Sequence, residues 1–359
     1  MTKPTLSFAA AAANSAPDML GFREDVPLLR HRGTVTPAGN ARAATATALR
    51  VGIISNARSH RNKRAAAEGR AGPLAGVEGD MQLRRPRKLA ELAAAVADFA
   101  RDGVDLIIID GGDGTVRDVV TCAGAAYGDT LPKFAVVPAG KTNALALDLG
   151  VPADWTVGDA VAAARARRFA MRPTIEVTRD GSAAPDLRGF LLGIGGFVRA
   201  TALAQRAHKA GAFNGFAVGL SLAWAVAQTV FGGARNPWRI GERLRLSVDG
   251  AQAVEQRLYT LLLTTLQRLP LGLKPFGAER PGMKSFTVDA PPKRIVGSLR
   301  MILAGKDDAR LARRGYHRGD AREMAVEINE ASGFILDGEL YRGGRLTIRR
   351  GEPLAFAVP

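Results

Sequence analysis

The residues best equipped for chemistry are Gly111-Gly112-Asp113-Gly114-Thr115. Glycines lack a Cβ, so the backbone can turn sharply and approach a ligand closely. The amides of such a turn, at the head of a helix, suit the phosphates of a nucleotide. An ordinary strand-to-helix turn needs only one or two glycines. Three of them around one Asp and one Thr favour phosphate holding. A second cluster, Ala139-Gly140-Lys141-Thr142-Asn143, again sets glycine beside a cation and a hydroxyl. A third, Ser55-Asn56-Ala57-Arg58-Ser59, is followed by Arg61, Lys63 and Arg64, which face either phosphates or solvent.

Each cluster follows a strand. Leu49 to Ile54 and Phe134 to Pro138 read as strands, and Leu106 to Ile109 is a continuous apolar run, the signature of a strand buried on both faces. Val116, Val119 and Val120 then have the spacing of a helix face. Leu89, Leu92, Val96 and Phe99 predict a helix over 88–101, stopped by Gly103. Another helix begins at Ala144 and ends at Gly150 and Pro152. This alternation is that of a parallel α/β sheet, whose carboxyl edge would gather the clusters. Residues 58–79 are basic and then glycine-rich, and read as a flexible loop.

After Pro152 the pattern changes. A helix over 155–167 leads into strand-like segments at 169–179, 188–194, 243–248, 256–265, 286–289, 298–304, 323–328, 333–336, 345–349 and 354–358, mostly antiparallel. The exception is 197–231. Residues around Leu203 and His208 look helical, and Phe213 to Phe231 runs nineteen residues without a formal charge. That touches the length of a membrane span, but Asn214, Gly215, Gly219, Ser221 and Gln228 favour a buried helix, or one bordering a greasy substrate cleft. The fold class expected is therefore α/β followed by β: a Rossmann-like parallel lobe at 49–152 and an antiparallel β-rich lobe at 153–359. Residues 1–48 keep no periodicity and read as a disordered arm. Phe8 to Ala13 is weak as a secretory signal.

The chain has 359 residues, enough for two domains. Its one cysteine, Cys122, excludes an intramolecular disulfide framework and any multi-cysteine metal site, and points to a reducing compartment. A net charge of +16 suits nucleic acid, an anionic membrane surface or polyanionic small molecules. No zinc-finger spacing, basic zipper or aromatic RNA-binding motif supports the first, so nucleic acid is not expected. Part of the charge lies on Ala/Arg-rich helical stretches, where a solvated face is the simple explanation.

Taken in order, the motifs resemble the diacylglycerol kinase catalytic-domain family, which includes bacterial soluble lipid kinases, sphingosine kinases and ceramide kinases. The resemblance covers about residues 49–359. It rests on the three clusters above, on Gly193-Ile194-Gly195-Gly196-Phe197 and on Leu336-Asp337-Gly338-Glu339. It implies a nucleotide-binding lobe, a lipid-substrate lobe and catalysis in the cleft between them. The implied reaction is transfer of the γ-phosphoryl group of ATP to a lipid hydroxyl with Mg²⁺, at a membrane surface, by a cytoplasmic, peripherally associated protein. Nucleotide contacts implied are Asn56, Arg58, Ser59, Gly111, Gly112, Asp113, Gly114, Thr115, Gly140, Lys141, Thr142 and Asn143. The implied catalytic carboxylates are Asp337, Glu339 and Asp113. By pattern alone Asp337-Gly338 is equally a hairpin turn; the resemblance favours the catalytic role. No metal-ligand set is assigned, and a homodimer is compatible with the sequence.

The chain also departs from the family pattern. Asn56-Ala57-Arg58-Ser59-His60 stands where Asn-Pro-x-Ser-Gly is usual, Arg117-Asp118 where Asn-Glu is usual, and Lys141 where Thr is usual. Val296-Gly297 lacks the Asp of a structural metal site. His60, His208 and His317 are scattered and read as ordinary residues. Two other readings follow: a nucleotide- or lipid-binding protein without turnover, and a kinase for a soluble substrate such as NAD.

Overall fold

The computed structural model describes residues 22–23, 49–67, 74, 81–209, 236–278, 280, 282–306 and 309–359. The apolar segment 213–231 and most of the 1–48 arm lie outside these residues. Phe22 and Arg23 are placed, and they bear on the site.

The first lobe alternates β1 (Val51–Ser55), α1 (His60–Ala67), β2 (Gln82–Arg84), α2 (Leu89–Arg101), β3 (Leu106–Gly111), α3 (Asp113–Tyr127), β4 (Lys133–Pro138), α4 (Ala144–Asp148) and α5 (Val157–Arg165). The strands are parallel in the order β4-β3-β1-β2. Every residue of β1 and β3 is buried, as their unbroken apolar runs require. Leu92, Val96 and Phe99 of α2 and Val116, Val119 and Val120 of α3 bury the predicted faces. Cys122 packs with them as a small apolar residue. Gly103, at φ +67, ends α2.

The segment expected to be a flexible loop begins with a helix instead. Nothing apolar announces α1; it is held by polar bonds. Asn62 Nδ2 donates to Asn56 O and to the Asp110 carboxylate, and Arg61 donates to the Pro138 and Ala153 carbonyls.

The second lobe comprises β5 (Phe169–Arg179), β6 (Leu187–Gly189), β7 (Leu191–Gly195), α6 (Gly196–Lys209), α7 (Pro237–Ile240), β8 (Glu242–Val248), β9 (Val254–Thr264), β10 (Met283–Asp289), α8 (Ile295–Leu303), α9 (Ala309–Arg313), β11 (Tyr316–Ala321), β12 (Glu323–Ile328), β13 (Phe334–Leu336), β14 (Glu339–Tyr341) and β15 (Gly344–Ala357). All strand pairs within it are antiparallel. The fold is thus α/β followed by antiparallel β. The strand expected at 298–304 is the helix α8. Its short apolar run fits either period, and burial of Ser298 and Ile302 on one face decides for the helix.

The lobes share one sheet. Its path runs β14-β13-β7-β9-β8-β12-β15-β4-β3-β1-β2. β15 pairs antiparallel with β5 and β12, and its end pairs parallel with β4 at Phe356 and Phe134. α5, beyond the expected boundary at 152, packs on β3 and β4 of the first lobe. Among the described residues no helix is long and apolar enough to cross a membrane.

Candidate functional site

Three parallel strands deliver the three clusters to one edge. Ser55 of β1 stands beside Asp110 of β3, and Gly111 of β3 beside Pro138 of β4, so the chain leaves all three strands at one level. The two glycine turns then touch. A Cβ on Gly112 would lie 2.9 Å from the Gly140 Cα, and one on Gly140 would lie 2.7 Å from the Gly112 Cα. Only glycine at both positions lets the backbones meet. Asn143, at φ +48, shapes the second turn: its Oδ1 accepts from Gly140 N at 2.8 Å and its Nδ2 donates to Gly140 O at 3.0 Å.

Asn56 ties the third cluster to the first. Its Nδ2 donates to Thr115 Oγ1 at 2.9 Å, and its Oδ1 accepts from Arg58 N at 2.9 Å. Ser59 Oγ donates to Asn56 O at 2.8 Å. Asp110, which the sequence reading passed over, braces this corner from below. It is 1 % exposed, and its Oδ2 accepts from Ser55 Oγ at 2.6 Å and Asn62 Nδ2 at 2.8 Å. Burial holds its carboxyl above the usual range, and the bonds from Ser55 and Asn62 oppose the rise. The available signal was a charge at the end of an otherwise apolar strand.

The Asp337-Gly338 pair is a two-residue hairpin turn between β13 and β14, with φ +44 and +83 at the two residues. Positive φ at both is what a type I′ turn requires, and Asp-Gly supplies it. Arg117 clamps this hairpin to α3. It is fully buried; its Nη1 donates to Leu336 O at 3.0 Å, and its Nε and Nη2 donate to Asp118 Oδ1 at 3.1 and 2.8 Å. Its guanidinium also lies over the Tyr341 ring, 5.6 Å from the centroid. The Arg117-Asp118 departure therefore joins the glycine-turn helix to the hairpin. Arg117 lies one helical turn beyond Asp113, so the clamp brings Asp113 and Asp337 within electrostatic reach of each other.

Asp337 lies deep in the molecule yet is not sealed from solvent. Its carboxylate accepts from Leu191 N at 2.9 Å and Phe190 N at 3.1 Å. A Cβ on Gly189 would lie 2.5 Å from its Oδ2, so Gly189 makes room for it. Desolvation pushes the carboxyl up to about 7; Arg117 pulls against this and the Asp113 charge adds to it. Asp113, half-buried, is also raised, first by desolvation, while the amides at the start of α4 oppose the rise.

Beside the turns lies a cavity of about 340 Å³. Of the expected residues, Asn56, Arg58, Ser59, Gly112, Gly114, Thr115, Gly140 and Glu339 line it. Gly111 belongs to β3, and a Cβ there would lie 2.6 Å from the Thr115 side chain. Lys141 and Thr142 are exposed, and neither they nor Asn143, Asp113 and Asp337 are in the lining. Arg87, Lys88 and, from the arm, Arg23 also line it with no site role expected from the sequence, and Asp118 was expected only as a departure from the family pattern. Arg87 and Lys88 stand just ahead of α2, whose Lys88 cap gives no side-chain bond to the helix amides. The parallel-sheet rule that placed the other clusters could have found them. The heads of α2 and α3 thus both open on the cavity, and both favour an anion. Among the described residues no group of three His, Cys, Asp or Glu side chains is gathered that could hold a metal.

Residues 50–172 match the model of the diacylglycerol kinase catalytic domain. No curated protein matches the chain. A crystal structure from Bacillus anthracis str. Sterne, provisionally assigned as a diacylglycerol kinase, is 17% identical with a TM-score of 0.61, over 87% of this chain and 97% of that one. Another from the same organism, described as a diacylglycerol kinase, is 15% identical with a TM-score of 0.56 over the same shares, 87% and 97%. At these identities the likeness is one of fold. An NAD kinase from Archaeoglobus fulgidus in complex with ATP is 13% identical over 86% of this chain and 93% of that one; its TM-score of 0.44 is too low to bear on function.

Proposed function

We propose that this chain, whose residues 50–172 match the diacylglycerol kinase catalytic domain, is an ATP-dependent lipid kinase that phosphorylates the hydroxyl of a lipid alcohol such as diacylglycerol. One observation carries the reading: two glycine turns in backbone contact at a sheet edge, opening on a cavity ringed by Arg23, Arg58, Arg87 and Lys88. Phosphoryl transfer asks the protein mainly for positioning and charge stabilisation. The backbone of the Gly112–Gly114 turn and the Thr115 hydroxyl would hold the phosphates, and Arg58, Arg87 and Lys88 would offset their charge. Mg²⁺ keeps most of its ligands as water and phosphate oxygens and needs only one or two carboxylates; Asp113, between the lining residues Gly112 and Gly114, would supply one by turning from its 3.3 Å bond with the Leu145 amide. Bound there, it would neutralise charge on the transferring group.

Of the two carboxylates in the hairpin, we assign the proton acceptor to Asp337. A carboxyl raised to about 7 is matched to taking a proton near neutral pH. Glu339 lines the nucleotide cavity instead. The lipid would be met at an anionic membrane surface, to which a net charge of +16 draws the protein peripherally from the cytoplasm.

Purified protein given radiolabelled ATP, Mg²⁺ and vesicles carrying diacylglycerol, a sphingoid base, ceramide or monoacylglycerol is expected to label one of these lipids. Failure to label any of them, with nucleotide still bound, would overturn the kinase reading in favour of a binding protein. The bonding of Asp337 to two backbone amides is what favours that second reading, since a purely structural carboxylate would bond in the same way.

A further inference from the structure

We infer that Phe22 and Arg23, the described residues of the N-terminal arm, belong to the nucleotide site, and that Arg23 is a positioning residue for polyphosphate binding. Arg23 lines the cavity. Its guanidinium pairs with Asp118 Oδ2 and, at 3.5 Å, with Glu339 Oε1. These are the two carboxylates of the cavity lining. Asp118 also pairs with Arg117, but that guanidinium is buried and committed to the hairpin. Without Arg23, Glu339 would turn an uncompensated charge, 44 % exposed, toward any bound phosphate. Like charges within a few ångströms repel, and a cavity with low-dielectric walls strengthens the effect. Arg23 cancels this repulsion and leaves Arg58, Arg87 and Lys88 to face the ligand.

The arm is anchored where this demands. Arg23 N donates to Leu340 O at 2.7 Å, and Leu340 belongs to β14, the end strand of the sheet path. Phe22 packs against the cluster of Val198, Ile335 and Leu340, and the Arg342 guanidinium lies over its ring, 5.0 Å from the centroid. A Cβ on Gly333 would lie 2.7 Å from that ring, so the hairpin leaves space for it. Two adjacent residues thus do different work: Phe22 fixes the backbone, and Arg23 reaches the carboxylates.

The inference rests on the nucleotide part of the proposed function, so its test reads nucleotide binding without any lipid. Dissociation constants for ATP and for adenosine would be measured by titration for the full chain and for Arg23→Ala, Arg23→Lys and Phe22→Ala, with thermal unfolding as a check on folding. Arg23→Ala should weaken ATP about tenfold and leave adenosine unchanged. Arg23→Lys should restore most of the loss, because it returns a cation to the same place. Phe22→Ala should behave as Arg23→Ala does, by releasing the arm. ATP affinity unchanged in Arg23→Ala, or ATP and adenosine weakened alike, would overturn the inference while leaving the nucleotide site intact. Wild-type protein that bound no ATP would overturn both together.

Discussion

A carboxyl group held protonated up to near-neutral pH makes stability depend on pH, and burial gives Asp337 this character. Its value rises from an ordinary 3.8 in the unfolded chain to about 7 in the folded one. Between those values the native state binds the extra proton, so stability contributed by this residue falls as pH climbs from about 4 to about 7, and is level above. Asp337→Asn removes the titration. The stability of the variant relative to wild type should therefore increase from pH 5 to pH 8, read as a rising difference in urea midpoint. A difference independent of pH would mean that Asp337 titrates as an ordinary aspartate. The same substitution should lower phosphoryl transfer by about 100-fold or more, the usual contribution of a general base, with ATP affinity retained. Transfer by wild type should rise with pH along a limb near 7. By pattern Asp337-Gly338 read equally as a hairpin turn, which it forms, and as a catalytic pair, which only the family resemblance favoured. Arg117 was legible only as a departure, since its carbonyl partner lies 219 residues away and no local pattern announces such a bond.

At the scale of elements, the site is made by the meeting of two turns. Gly140→Ala tests this directly. The new Cβ would stand 2.7 Å from the Gly112 Cα and 2.8 Å from Asn143 Oδ1, so the turns must part by several tenths of an ångström. The expected cost is about 1–3 kcal/mol, the range for overpacking, with ATP binding lost because the cradle no longer closes. Gly128→Ala is the control: a Cβ there meets nothing within 4 Å, so only the strain of its positive φ is felt and binding should persist. ATP binding lost equally in both would assign the effect to general destabilisation. The elements carrying these turns were readable because β1, β3 and β4 are buried on both faces, apart from Lys133 at the start of β4, and are apolar except at their ends. α1 was not readable, because Asn62 and Arg61 hold it by hydrogen bonds that leave no hydrophobic period. α8 was misread because a short apolar run serves a strand and a helix alike.

For the whole molecule, the decisive feature is that the last strand closes the first lobe. β15 starts among the antiparallel strands and ends against β4, so the lobe boundary is crossed by backbone pairing. Phe356 is fully buried there, 5.7 Å from the Phe134 ring and 6.0 Å from the Phe190 ring, one on each side of the expected boundary at 152. A first lobe cut at 152 would keep β4 but lose β15 from its edge and α5 from its face. Such a fragment, 49–152, should fail to give a cooperative thermal transition. In the full chain, Phe356→Ala should cost about 3–5 kcal/mol, as truncation of a buried aromatic ring does. Because the sheet is continuous, that loss should appear in both lobes at once. Hydrogen exchange should accelerate in β3 and β4 and equally in β5 and β12, at positions that touch no substituted atom. Acceleration confined to β5, β12 and β15 would show that the lobes unfold independently. The two glycine turns would then owe their placement to the first lobe alone, rather than to a sheet that runs unbroken from the Asp337-Gly338 hairpin to β2.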